Sequence, residues 1–287
     1  MQPTRLVLIE GIPGAGKSTT ARFVKDVLAR RGLQPQFYTE GDLDHPADYE
    51  SVACLSLADY EHLLAAYPAW QETLSAAAIH KNGDVFIGYR KLQEQPGNWL
   101  PDNRLPSNQS PNNLFQALAR FEVYELPAGR FMRVVGAHWQ EFTGRAANQS
   151  QPYIFECCFW QNPLTTLLAR HNLSPEAAME FIRQLTRVVA PLNPMLIYLE
   201  PTSIRSTLEA AAQSRPKEWL DYVTGYITGQ EWGRVYGQSG FDGMVRFYEM
   251  RRDIEKQLFE DLAWPKLWID QAGQDWPAAY ERIERLF

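Results

Sequence analysis

The chain has 287 residues, a hydrophobic fraction of 45%, a charged fraction of 22% and a formal net charge of −6, the profile of a folded protein with a sizeable core. The acidic balance argues against a nucleic-acid scaffold, which normally presents a basic surface. No apolar run is long enough to span a membrane, the first expected strand begins too early for a signal peptide, and the three cysteines (Cys54 and the neighbours Cys157 and Cys158) suit reduced thiols in the cytoplasm.

Residues 5–10, Arg-Leu-Val-Leu-Ile-Glu, form a short continuous apolar run that predicts a buried parallel strand. Directly after it, Gly11, Gly16, Lys17 and Ser18 fit the pattern G-x-x-x-x-G-K-[ST], the phosphate-binding loop. The chemistry follows from the residue types. Gly11, Gly14 and Gly16 allow the backbone to wrap an anion with its amide N–H groups. A helix over 17–31 adds its positive dipole end, bringing Ala15, Gly16 and Thr19 to the same ligand. In this pattern Lys17 reaches the β- and γ-phosphates, and the Ser18 hydroxyl ligates Mg²⁺. The loop predicts binding of a nucleoside triphosphate.

Ala21, Val24, Val27 and Leu28 mark the buried face of that helix, and Gly32 stops it. Residues 36–39 predict a second strand, followed by the acidic loop Glu40-Gly-Asp-Leu-Asp-His-Pro46. Such a loop at the C-terminal edge of a strand is where ligands of open α/β sheets sit, so Glu40, Asp42 and His45 are candidate substrate residues. Asp42 or Glu40 is also a candidate to accept a proton from a substrate hydroxyl. The many acids favour a neutral or cationic substrate over a phosphorylated one.

Residues 47–150 predict a mostly helical insertion, with a helix near 58–64, a strand at 84–89, a long polar loop over 96–113 and a helix from Pro127. The α/β order then resumes. Tyr153-Ile-Phe-Glu156 predicts a strand that ends in a carboxylate, Ser174-Pro175 opens a helix, and Met195–Glu200 predicts the fourth strand. Helix and an Arg-rich turn fill 203–232, a long helix follows Gly240, and Lys266–Asp270 is the fifth strand. Five strands alternating with helices predict a doubly wound, three-layer α/β fold around a five-stranded parallel sheet, organised as a single domain over 1–287.

Glu156 is a candidate metal ligand with Ser18, and a candidate base, because a strand-end acid beside the phosphate loop lies near the γ-phosphate. A buried, inert thiol is expected of Cys157. Arg246, Arg251 and Arg252 on the long helix are rival candidates to neutralise charge on the transferred phosphoryl group, with helical surface charge as their default role.

The Leu-Ile-Glu-Gly string before the loop, the strand ending in Glu156, the Arg-bearing segment after the fourth strand and the late fifth strand together resemble the P-loop nucleoside and nucleotide kinases. The deoxynucleoside kinase and thymidylate kinase branch is the nearest in style. The resemblance implies ATP as donor with Mg²⁺, and Glu156 as base, although Cys157 and Cys158 stand where the deoxynucleoside kinases have Arg and Ser. It further implies a lid over 203–220 carrying Arg205, Arg215 and Lys217, a turn at Gly273 against adenine, and an acceptor facing the loop at 40–45. The expected activity is transfer of a γ-phosphate to a hydroxyl of a small molecule, a nucleoside or a hydroxylated natural product such as an antibiotic. One alternative is a nucleoside monophosphate kinase, with Arg90 or Arg104 on the acceptor phosphate. Another is a nucleotide-dependent switch or regulatory ATPase. A homodimer and the choice between ATP and GTP stay open.

Overall fold

Six residues that are buried along their whole length, Leu6–Gly11 (β1), form the centre of the main sheet in the computed structural model, which describes residues 3–94, 109–271 and 275–287. The loop at 11–16 leads into α1 (Lys17–Arg30), whose inner face carries Ala21, Val24, Val27 and Leu28, and then into β2 (Gln36–Tyr38).

The chain divides into two compact units, Gly41–Val135 forming one and the remainder the other. The sequence placed the insertion at about 47–150. In the Gly41–Val135 unit come β3 (Val52–Ser56), α2 (Leu57–Ala66), α3 (Gln71–Ala77), β4 (Ile79–Lys81), β5 (Asp84–Gly88), α4 (Tyr89–Glu94), α5 (Pro111–Ala119) and the start of α6 (Ala128–Ala146). Its helices accompany a three-stranded antiparallel sheet in the order β3-β5-β4, of which the sequence reading anticipated only β5. Asn82 and Gly83 both take positive φ, 52° and 81°, and close the β4–β5 hairpin. Leu55, Leu63, Trp70, Leu74, Ile87 and Leu118 are among its core residues. Residues 96–108 of the expected polar loop lie outside the described residues, and its last residues are helical instead, because Ser110 caps α5 by accepting the Asn113 N–H, with Pro111 at the first helical position.

The other unit continues with β6 (Tyr153–Glu156), α7 (Gln161–Thr165) and a π-helical turn at Thr166–Arg170. Then come α8 (Pro175–Val189), β7 (Met195–Glu200), α9 (Ile204–Gln213), α10 (Lys217–Thr228), α11 (Glu231–Val235), α12 (Gly240–Asp261), β8 (Lys266–Asp270) and α13 (Trp276–Glu284). The five expected strands are present and all parallel, in the order β2-β6-β1-β7-β8. This α/β sheet with its helices is consistent with three layers. Trp139 and Phe142, near the end of α6, pack edge-on or tilted against Phe155 of β6. Among the described residues, no helix is long and apolar enough to cross a membrane.

Candidate phosphate-binding site

The strand order runs outward from β1 in both directions, to β6 and β2 on one side and to β7 and β8 on the other. The C-terminal end of β1 is therefore the switch point of the sheet, where open α/β sheets bind ligands, and the glycine-rich loop leaves the strand there. Gly11 takes φ 144° opposite Leu199 of β7, and a Cβ at that position would lie 2.6 Å from the Leu199 carbonyl oxygen. Gly14 takes φ 85°, and a Cβ there would lie 3.0 Å from the Ala211 Cβ and 3.1 Å from the Thr207 carbonyl oxygen of α9. The segment expected to form a lid thus begins with a helix packed directly against the loop.

Gly16 caps α1 in the left-handed region, with no side chain capping the helix and no acid in its first turn. The positive end of α1 is left without a negative partner from its own sequence, as an anion site requires. Gln271 donates to the Ala15 carbonyl at 2.6 Å, and the ring of Trp276 lies 3.6 Å from where a Gly16 Cβ would be. Thr19 is exposed on the first turn of α1.

Lys17 is 6% exposed and turned back on the loop. Its Nζ donates to the carbonyls of Gly11 at 3.1 Å and Ile12 at 2.9 Å. Ser18 donates to Glu156 Oε1 at 3.2 Å, and the same oxygen accepts the Glu40 backbone N–H at 3.0 Å. Glu156 is 4% exposed, and its other oxygen, Oε2, is buried with no hydrogen-bond partner among the described residues. A buried polar oxygen left without a partner is costly, so this atom suits a donor brought by a ligand, such as a hydroxyl or a metal-bound water. Ser18, Glu156 and the Glu40 backbone thus meet at one carboxylate oxygen, while Lys17 holds the loop carbonyls of Gly11 and Ile12.

Glu40 has both oxygens engaged. Oε1 accepts from Gln161 Nε2 at 2.9 Å and Oε2 from the Cys157 thiol at 3.4 Å. Cys157 bends the chain after β6 with φ 69°, uncommon for a residue with a side chain. Burial pushes its thiol well above the ordinary value, so it stays protonated and donates, as an inert buried thiol should.

Three buried charged residues lie behind the loop, of which Glu10 and Glu255 were not anticipated as site residues and Arg251 was a rival candidate expected by default on a helix surface. Glu10 Oε1 accepts the N–H groups of Phe159 at 3.0 Å and Trp160 at 2.9 Å, and Oε2 that of Gln161 at 3.0 Å. Burial pushes Glu10 up to about 7 against the pull of those donors and of Lys17. Arg251, expected on a helix surface, is 0% exposed, and so is Glu255 one turn on. Arg251 Nε lies 3.1 Å from Glu255 Oε1, and Glu255 Oε2 accepts the Tyr198 hydroxyl at 2.6 Å. The surface expectation for Arg251 fails because the apolar face of α12, with Tyr248, Ile254 and Leu258 buried, carries the pair within it.

The remaining candidates make other contacts. Arg205 is exposed, pairs with Asp242 at 2.7 Å and stacks over Phe241. Arg215 stacks over the Trp219 ring at 4.3 Å, and Lys217 is exposed at the start of α10. Among the described residues neither arginine pairs with Lys17, Ser18 or Glu156. Arg252 pairs with Glu200, and Arg246 donates to Gln238. Asp42, His45 and Arg90 belong to the Gly41–Val135 unit. There Asp42 accepts the Asp44 N–H at 2.9 Å, an Asx turn. His45 Nδ1 accepts the N–H groups of Ala47 at 3.2 Å and Asp48 at 2.9 Å, and burial lowers its pKa to about 4. Arg90 is exposed and 3.4 Å from Glu94. Gly273 and Arg104 lie outside the described residues.

Comparison with known proteins adds no family: no protein-family model matches the chain, and no curated protein matches it significantly.

Proposed function

We propose that the chain is an ATP- and Mg²⁺-dependent phosphotransferase that moves the γ-phosphate to a hydroxyl of a small molecule. The observation that carries this reading is the meeting of Lys17, Ser18 and the half-satisfied Glu156 at the switch point of a parallel sheet, on a glycine-rich loop that opens an uncapped helix. In this reading Lys17 exchanges the carbonyls of Gly11 and Ile12 for phosphate oxygens, a charge-assisted and stronger partner. The first amides of α1 donate to the same phosphates. Ser18 and Glu156 fit a hydrated Mg²⁺, since their remaining capacity is oxygen only and small cations of this kind keep several waters. Such an ion supplies neutralisation of the phosphate charge.

Glu156 is the better base of the two acids. Both Glu40 oxygens already accept hydrogen bonds, whereas Glu156 Oε1 is fixed by Ser18 and the Glu40 N–H and Oε2 is left to accept a proton. Catalysis in this arrangement is positioning plus electrostatic stabilisation. A buried carboxylate acceptor favours substrates that present hydroxyl or ammonium donors, nucleosides or hydroxylated natural products, over nucleoside monophosphates.

ADP release from Mg·ATP, measured against a panel of nucleosides, nucleoside monophosphates and aminoglycoside-type compounds, tests this reading. Stimulation by a hydroxyl-bearing compound, with the phosphorylated product seen by mass spectrometry, is the expected result. Slow release that no compound stimulates would instead favour a nucleotide-dependent switch.

A further inference from the structure

The buried Arg251–Glu255 pair has no role in the chemistry above, yet it reaches the loop. Arg251 uses its three kinds of nitrogen in three directions. Nε faces Glu255, Nη1 donates to Thr165 Oγ1 at 2.9 Å, and Nη2 donates to the Gly11 carbonyl at 3.4 Å. Tyr248 covers the guanidinium, its ring centroid 4.9 Å from Cζ, and Tyr198 of β7 holds Glu255. One guanidinium thereby joins α12, the end of α7 and the first residue of the phosphate loop. Packing alone does not account for it, because a buried ion pair is often no more stable than apolar residues of the same volume.

The Gly11 carbonyl is the same oxygen that Lys17 holds. Once Lys17 turns to a phosphate, the Ile12 carbonyl keeps the Ala15 N–H at 3.2 Å, while the side chain left on the Gly11 carbonyl is Arg251. We propose that Arg251 is a positioning residue of the phosphate loop, holding the Gly11 carbonyl in place while Lys17 is engaged with the ligand. This inference rests on the reading that the loop binds a triphosphate. A lysine could keep the charge but could not reach Glu255, Thr165 and Gly11 together, because its single nitrogen lacks the planar fork.

The test compares Mg·ATPγS affinity, by calorimetric titration, with thermal unfolding for three proteins: wild type, Arg251→Lys, and the double variant Arg251→Met/Glu255→Leu. The double variant removes both charges at once and so leaves no lone buried ion. Expected are a melting temperature close to wild type, about tenfold weaker nucleotide binding in the double variant, and an intermediate affinity for Arg251→Lys. Wild-type affinity in a folded double variant would overturn the role of Arg251 alone. Should the double variant not fold, Arg251→Lys decides: weaker binding supports the role, and unchanged binding overturns it. Absence of binding by the wild type would overturn the phosphate-binding reading and this inference with it.

Discussion

Replacing Lys17 with alanine is expected to lower phosphoryl transfer by about 10²–10³-fold or more, through loss of a charged donor aimed where negative charge develops. Its fold should survive. Lys17 is buried, but the two carbonyls it holds keep other donors, Arg251 on Gly11 and the Ala15 N–H on Ile12. Neither becomes an orphaned buried acceptor, the outcome that would make the loss of a hydrogen bond expensive. Unchanged circular dichroism and melting, with ADP release reduced to background, is the expected pair of results. Near wild-type turnover in a folded Lys17→Ala protein would show that the loop takes no part in phosphoryl transfer.

Gly11→Ala is expected to be the most damaging single methyl in the chain's N-terminal region, at about 3–5 kcal/mol of stability. Two costs add. The position has φ 144°, which a residue with a Cβ rarely adopts, and the methyl would sit 2.6 Å from the Leu199 carbonyl oxygen on the neighbouring strand. That oxygen is backbone in the middle of the sheet and cannot swing aside as a flexible side chain would. Strand β1 must move from β7, or the loop must change its path, and either disturbs the Gly11 carbonyl that Lys17 and Arg251 share. Urea denaturation should show a midpoint lowered accordingly. A loss under about 1 kcal/mol would mean that the loop relaxes freely at this residue.

The central sheet was legible because most of its strands are short apolar runs bounded by glycine, proline or polar residues, and because strands and helices alternate. The turn from β1 into α1 was legible too, because Gly11, Gly14 and Gly16 mark the positive-φ positions and the helix follows at once. Strands β3 and β4 were harder. Val52–Ser56 runs straight into a helix and Ile79–Lys81 is three residues long, although the Asn82-Gly83 pair that joins β4 to β5 is a recognisable hairpin signal. Arg251 and Glu255 also left a trace, since both fall among Tyr248, Ile254 and Leu258 at helical spacing, where a surface charge has no place. The three backbone N–H groups gathered by Glu10 left none. They come from the bend at Cys157 and the turn of α7, and backbone direction of that kind is set by tertiary packing rather than by residue type. The partner of Arg205 was hidden for the same reason, as Asp242 lies far along the chain, whereas Trp219, over which Arg215 stacks, is only four residues on.

The most direct measurement of the central claim is a calorimetric titration of the full chain with ATPγS in the presence and absence of Mg²⁺. Binding at one site per chain, tighter with Mg²⁺ and lost in Lys17→Ala, is the result the arrangement of Lys17, Ser18 and Glu156 predicts. Absence of binding at millimolar nucleotide, or binding that Lys17→Ala leaves unchanged, would contradict it.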